Sequence, residues 1–164
     1  MLGHGDEQNQ LLPKKVEAFA GRRVIAVSAG AVHSLASTAD GAVWSCGCGL
    51  CGRLGHGTQQ NQLLPKKIEA FLARRVAAVS AGAVHSLAFT ATGAVFAWGQ
   101  GETGCLGHGE DLSNQQLPKE IEGGRRRGDE KREMASSRTS GCFCEKIELQ
   151  GAGAPTVGTT VWRR

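Results

Sequence analysis

The sequence predicts an all-β fold, a partial β-propeller of about two antiparallel blades, on three observations. The ten residues Val27–Ala36 return unchanged as Val79–Ala88, and at this spacing residues 2–53 match 54–105 at 37 of 52 positions. A fixed period of this length is typical of repeat proteins, whose units bury their apolar faces against their neighbours. Each unit also holds short β-branched and small apolar runs, and glycines divide these runs. Three or four short strands turned by glycine describe a propeller blade.

The first half of a unit begins with a turn and leads into a short strand. In Leu2-Gly-His-Gly5 two glycines flank a polar residue, which predicts a tight turn with positive φ. The polar residues 6–10 are expected to form an exposed loop. After Pro13, the residues from about Lys15 to Ala18 are predicted to form a strand, followed by a turn at Gly21.

The second half of the unit predicts three strands in succession. Residues 23–30 are β-branched and apolar and then taper to small side chains, and Gly30 permits a bend. The next strand is His33–Thr38. Asp40-Gly41 is a strong hairpin signal, and residues 42–46 complete the hairpin. Gly30 and its equivalent Gly82 are expected to need positive φ, so that Gly82→Val would strain the backbone.

Composition and charge limit the function classes. The net charge is +4 and most of the arginine excess lies near or beyond residue 122, so the repeats show no basic face and nucleic-acid binding is not expected. No apolar run reaches 18 residues, which excludes a membrane helix. The first residues already belong to the repeat and leave no room for a signal peptide. Six cysteines without such a signal predict reduced thiols in the cytoplasm or the nucleus.

Several motifs recur together and in a fixed order. They are Val-Ser-Ala-Gly-x-x-His-Ser-Leu-Ala, then Gly-x-Val-aromatic-x-Trp-Gly, then Gly-x-Leu-Gly-His-Gly and a later proline. The second unit carries all of them, and the first carries them with Cys46 in place of the tryptophan. With these motifs the chain resembles the regulator-of-chromosome-condensation repeat family. The signature positions are Gly30, His33, Gly41, Gly47, Gly82, His85, Gly93, Trp98 and Gly99.

The resemblance implies a scaffold and a mode of action. It implies four-stranded blades of a seven-bladed propeller whose members act mainly by binding other proteins. Members include an exchange factor for the small GTPase Ran, ubiquitin ligases that carry such propellers, and a plant ultraviolet-B receptor. The repeat itself specifies only the scaffold, and function lies in loops and added segments.

The period divides the chain into two full units, 2–53 and 54–105, and a partial unit, 106–127. After Arg127 the expected strand is replaced by charged and polar residues without periodicity, which predicts a disordered or non-homologous tail over 128–164. The abrupt change favours an interrupted reading frame or a truncated repeat over an evolved cap, as a hypothesis.

Recurrent histidines and one cysteine cluster are the residues that invite a chemical function. His33 and His85 lack a partner acid or nucleophile at a suitable offset, because the adjacent serine points to the other face of the strand. We therefore expect structural histidines and no enzyme. Cys46, Cys48 and Cys51, with His56 as a fourth ligand, form a weak candidate zinc site. Divergence of the repeat explains the same residues, and we expect no metal or other cofactor.

The expected function is that of a non-enzymatic, protein-binding propeller fragment. The exposed loops after the Leu-Gly-His-Gly turns are the expected contacts, at Asp6 and Glu7 and at Thr58 and Gln59. The protein partner is unknown. One alternative is nucleotide exchange on a small GTPase, which requires a closed ring. Another is that the repeats belong to a larger ubiquitin ligase.

Two blades cannot close a ring, so the sequence also predicts open ends. Each end is expected to leave an apolar face uncovered, with partial exposure of the valines of both units. Such faces favour self-association. The valines are Val24, Val27, Val43, Val76, Val79 and Val95.

Overall fold

The computed structural model describes residues 2–122, and eight strands make up its regular structure. The strands are β1 (Val24–Ala29), β2 (His33–Thr38), β3 (Val43–Gly47), β4 (Gln62–Lys67), β5 (Val76–Ala81), β6 (His85–Thr90), β7 (Val95–Gly99) and β8 (Gln115–Glu120). A single-turn 3-10 helix at Glu17–Phe19 precedes β1, and two more lie between strands, at Leu50–Gly52 and Glu69–Phe71. No helix in this part of the chain is long and apolar enough to cross a membrane.

The strands form two four-stranded antiparallel sheets, in the orders β1-β2-β3-β4 and β5-β6-β7-β8. We call them blade 1 and blade 2, and they confirm the predicted all-β fold of two blades. The fourth strand of each blade comes from the next sequence unit: β4 lies within 54–105 and β8 within the partial third unit. The blades are therefore offset from the sequence period, and each unit is tied to the one before it.

The hydrophobic core lies between the two blades. Leu35 and Val43 of blade 1 and Val76 and Ala88 of blade 2 belong to one buried cluster. Phe71, which follows β4, packs edge-on against Phe96 and also contacts Trp98. Period-two alternation along β2 and β6 gives each blade two different faces. We call the face of blade 1 that meets blade 2 its forward face, and the face of blade 2 that meets blade 1 its rear face.

The predicted strand at Lys15–Ala18 is wrong. Glu17–Phe19 forms a 3-10 turn, and the residues before it are not in a strand. In the second unit the strand comes earlier, at Gln62–Lys67, and it contains Pro65. A proline is tolerated there because β4 is an edge strand, whose outward amides need no ladder partner. The turn at Gly21 is confirmed by its φ of +73°.

The glycines of the turns behave as predicted, whereas those of the bends do not. Gly3 and Gly5 have φ values of +83° and +90°, and the hairpin residue Gly41 has +84°. Gly30 and Gly82 are absent from the positive-φ positions, so the strain argued for Gly82→Val is wrong. Their real constraint is space. A Cβ on Gly30 would lie 2.3 Å from the Gly82 carbonyl oxygen, and one on Gly82 would lie 2.6 Å from the His85 ring.

The predicted exposure of the six valines is correct for some and wrong for two. Val27 is 75% exposed on the open side of blade 1, and Val24, Val79 and Val95 are half-buried. Val43 and Val76 are fully buried, because they lie in the interface between the blades. The predicted tail, 128–164, and the end of the third unit lie outside the described residues.

Candidate functional site

His33 stands at the start of β2 and joins the two blades. Its Nε2 lies 2.9 Å from the Ser86 hydroxyl, which donates a 2.7 Å hydrogen bond to the Arg53 carbonyl. Because the Ser86 proton is directed to that carbonyl, the hydroxyl oxygen accepts the hydrogen bond from His33. The neutral imidazole therefore carries its proton on Nε2, and Nδ1 is unprotonated. Burial, aided by the positive charge of Arg53, lowers the pKa of His33 to about 4. The ring is neutral near pH 7, and its hydrogen bond to Ser86 connects the two blades.

A second histidine–serine pair lies where a Gly-His-Gly turn meets β3. His56 Nε2 lies 2.9 Å from the Ser45 hydroxyl, which also donates to the Leu54 carbonyl over 2.8 Å. Burial lowers the pKa of His56 to about 4. In both pairs the serine is fully buried and its proton is directed to a carbonyl, so neither serine is placed to attack a substrate.

The remaining signature residues support backbone turns in both units. Gly47 and Gly99 have φ values of +115° and +110°, and they pair with His33 and His85 across the sheet. Gly93 occupies the second hairpin turn at φ +86°. Burial lowers the pKa of His85 as well. Trp98 is fully buried beside Gly55, where a Cβ would lie 2.8 Å from the indole Nε1.

The loops predicted to meet a partner follow the Gly-His-Gly turns, and each turn is fixed to the outer strand of a blade. The Gly5 amide donates to the Leu63 carbonyl in β4, and the Gly57 amide donates to the Gln116 carbonyl in β8. Successive loops therefore occupy equivalent places on successive blades. Of the predicted contact residues, Glu7, Thr58 and Gln59 are exposed and Asp6 is half-buried.

Two residues of the same kind were missed in the third unit. Glu110 and Asp111 are the period equivalents of Asp6 and Glu7, so the repeat itself was the signal that could have found them. Asp111 accepts hydrogen bonds from Lys119 and Ser113, which lower the pKa of its carboxyl. The first and third loops are thus acidic, whereas the second loop, at Thr58 and Gln59, is neutral.

Arg53 is a further residue that the sequence reasoning missed. It is nearly fully buried and donates from Nε to the Leu50 carbonyl and from one terminal nitrogen to the Ala83 carbonyl. It thus links the end of blade 1 to the β5–β6 turn of blade 2. Nothing in the repeat marks this role, because the equivalent position in the next unit is Cys105.

The cysteine cluster does not assemble into a metal site in this structure. Cys46, Cys48 and Cys51 are free thiols, and Cys46 is buried under Gly3, with 3.3 Å from its sulfur to the position of a Gly3 Cβ. The proposed fourth ligand, His56, is bonded to Ser45 instead. Within residues 2–122 no three His, Cys, Asp or Glu side chains are grouped so as to hold a metal ion.

Comparison with known proteins agrees with this architecture. The model of the regulator of chromosome condensation (RCC1) repeat matches residues 1–37, 40–89 and 92–142, and a second RCC1 model matches 24–53 and 76–105. The third match extends beyond residue 127, the predicted end of the repeats. The human E3 ubiquitin-protein ligase HERC2 is 40% identical over 124 residues, which cover 74% of this chain and 2% of the ligase.

Other relatives match over similar lengths. The ultraviolet-B receptor UVR8 of Arabidopsis thaliana is 36% identical over 121 residues, which are 74% of this chain and 27% of the receptor. Prp20p of Saccharomyces cerevisiae, whose structure was described with its binding to Gsp1p and histones, superposes with a TM-score of 0.56. Its identity is 28%, over 62% of this chain and 26% of that one. The chain thus spans about a quarter or less of these relatives, and it belongs to the regulator of chromosome condensation (RCC1) repeat family.

Proposed function

We propose that this chain is a non-enzymatic, protein-binding segment of an RCC1-type propeller, which contacts its partner through the loops after the Gly-His-Gly turns. The proposal rests on a contrast between the exposed loops and the hydrogen-bonded turns from which they extend. The loops present exposed polar side chains, whereas each turn beneath them is held by backbone hydrogen bonds to an outer strand. Exposed loops on a rigid scaffold are the usual place of recognition in folds that serve many functions.

The chemistry of the histidines supports a binding role over catalysis. His33 is buried and His56 is half-buried, and both rings are neutral near pH 7. Each is bonded to a serine hydroxyl that donates its own proton to a backbone carbonyl. We place the binding in the cytoplasm or the nucleus, where thiols stay reduced, in keeping with the free thiols of Cys46, Cys48 and Cys51.

The test compares partners captured from cell extract by the full chain and by two variants. The loop variant carries Asp6→Asn, Glu7→Gln, Thr58→Ala and Gln59→Ala. The control carries Glu17→Gln and Glu69→Gln, two exposed acids at equivalent places in the 3-10 turns. Quantitative mass spectrometry should show partners lost by the loop variant and kept by the control. Equal recovery with all three proteins would contradict the assignment of these loops.

A second candidate is regulation of a small GTPase, and the likeness to Prp20p favours it. That protein's structure was reported with its binding to Gsp1p. Release of a fluorescent guanine nucleotide from purified Gsp1p, with and without this chain, separates the two candidates. Faster release would support exchange activity, and binding without faster release would support a scaffold. The match to HERC2 also supports a place within a longer ubiquitin ligase, where the loops would present a partner to the ligase.

A further inference from the structure

Each blade has one face in the interblade interface and one face that the interface leaves uncovered. Leu35 and Val43 on the forward face of blade 1 are fully buried, and their equivalents on blade 2, Leu87 and Val95, are only half-buried. The converse holds for the rear faces. Val76 and Ser86 of blade 2 are fully buried, whereas their equivalents on blade 1 are half-buried; these are Val24 and Ser34.

The groove at the open side of blade 1 is a strand position that no residue of 2–122 occupies. A volume of about 360 Å³ is lined by Leu2, His4, residues 10–14 and Val16. One period later, the same residues surround β3 of blade 1. The Leu54 carbonyl and His56 both bond Ser45, Gln62 pairs with Gly47, and the Ile68 amide donates to the Val43 carbonyl. Leu2 is therefore 51% exposed, whereas Leu54 is fully buried.

The residues that make the interblade contacts are repeated on the uncovered faces. Across the interface His33 bonds Ser86, and the Ser28 hydroxyl accepts from the Ala81 amide. On the uncovered faces blade 2 carries His85 and Ser80, and blade 1 carries Ser34 and Ala29. Within residues 2–122 neither the Ser34 hydroxyl nor the His85 ring makes a side-chain hydrogen bond, whereas their equivalents Ser86 and His33 bond each other. The uncovered pair is thus a chemical copy of the covered pair.

From this repetition we propose that the rear face of blade 1 docks on the forward face of blade 2 of a second copy of this chain. The contact is head-to-tail, so it joins two different faces and leaves one of each kind free for further copies. His85 of one copy then bonds Ser34 of the next, as His33 bonds Ser86 within one chain. Val27, now 75% exposed, is covered as Val79 is.

The outer strands impose one adjustment at this contact. The place beside β7 is already taken by β8, and the place on β4 is already taken by residues 2–5. At the junction, residues 2–15 of one copy would occupy the same space as the turn at 106–109 and β8 of the other. This follows because the two segments hold corresponding positions in the repeat. One of the two segments must therefore leave its position when the blades meet.

The test is sedimentation velocity on the full chain across a concentration series. The unmodified chain should form dimers and larger species as its concentration rises. Val27→Glu places a charge on the rear face and should weaken association by at least about tenfold. Phe89→Glu should do the same from the forward face of blade 2. Leu50→Glu is the matched control, since Leu50 is 56% exposed and its equivalent is already Glu102; it should change nothing.

Mixing the two blocked variants tests the head-to-tail geometry. Val27→Glu keeps a free forward face and Phe89→Glu keeps a free rear face, so the mixture should form a dimer and no larger species. Circular dichroism of each variant checks that it is folded, and Val27→Glu changes a side chain that is 75% exposed. A monomer at every concentration would overturn the proposal, because the two faces would then not dock on each other. Association that survives both substitutions, or a mixture that stays monomeric, would overturn it too.

Discussion

The octapeptide Gln-Asn-Gln-Leu-Leu-Pro-Lys-Lys occurs twice, and its two copies adopt different structures. In residues 60–67 it contains strand β4, whose Gln62 and Lys67 pair with Gly47 and Trp44. In residues 8–15 it contains no strand, and Leu11 is 97% exposed. Since the sequences are identical, the difference comes from the neighbour: the second copy lies beside β3, and the first has no strand beside it within residues 2–122. A neighbouring strand, more than propensity, makes this segment β.

The same contrast runs through the side chains of the two blades. Leu35 and Leu87 occupy the same position of the repeat, yet only Leu35 is fully buried, because blade 2 covers it. Equivalent substitutions in the two units therefore measure the contribution of the interblade interface directly. The predictions below use such pairs.

The largest expected effect is on the core leucines. Leu35→Ala should lower the free energy of unfolding by about 2–5 kcal/mol, because it leaves a cavity in the interblade core. Leu87→Ala should lower the free energy of unfolding by only about 1 kcal/mol, since the Leu87 side chain is already partly exposed in the folded protein. Urea unfolding at low protein concentration, where copies are dissociated, measures both. Equal losses for the two variants would mean that the interface does not distinguish the blades.

The next effect is the loss of stability at acidic pH. Folding lowers the pKa of His33 from its ordinary 6.5 to about 4, so the folded state disfavours the proton. The contribution of neutral His33 to the free energy of unfolding is fully present above pH 6.5. It is lost as the pH falls toward 4, by about 3 kcal/mol at most. His56 adds a loss over the same range. His33→Gln should flatten the fall in stability, measured by urea unfolding at several pH values. An unchanged pH dependence would argue against a buried neutral His33.

A smaller effect is expected for the serines. Ser86→Ala removes the acceptor of His33 and should cost about 1–3 kcal/mol, because a buried donor is left unpaired. Ser34→Ala, at the equivalent position of blade 1, should be nearly neutral, since the Ser34 hydroxyl makes no hydrogen bond to any of residues 2–122. Thermal melts at matched low concentration compare the two. The comparison fails if Ser34→Ala costs as much as Ser86→Ala.

The smallest effect is local to the two octapeptides. The Ile68 amide donates to the Val43 carbonyl over 2.8 Å, whereas no strand among the described residues 2–122 lies in the equivalent place beside Val16. Hydrogen exchange at Ile68 should therefore be at least about tenfold slower than at Val16, a difference of about 1.4 kcal/mol in local opening. Similar rates would show that both segments are equally ordered. Measurement at rising concentration would sharpen the result, because docking of a second copy should change protection at Val16.

Much of the fold could be read from the repeat. Strand β2 was predicted with its observed bounds, because His33–Thr38 lies between a glycine bend and an Asp-Gly hairpin. The glycine turns were predicted from residue type, since positive φ is nearly free only for glycine. The loop residues Thr58 and Gln59 were correctly expected to be exposed, and so was Glu7.

The failures have a common cause in contacts between distant residues. The strand at Lys15–Ala18 was misplaced because Pro65 is acceptable only at a sheet edge, and the sequence does not show which strand is the edge. Gly30 and Gly82 were assigned to positive φ, whereas the backbone of the neighbouring blade and the His85 ring set their limit. Val43 and Val76 were expected at open ends because the two faces of a blade cannot be told apart before the blades are packed.

The sequence alone thus determined the repeat, three of the four strands of each blade, the glycine turns and the family, because these depend on local propensity and on a period that is visible in the chain. Only the tertiary structure decided the offset between unit and blade, the pairing of His33 with Ser86, and the choice between buried and open copies of the same residue. Identical residues have identical propensities, so nothing local separates Leu35 from Leu87. The difference between them comes from blade 2, which packs against Leu35.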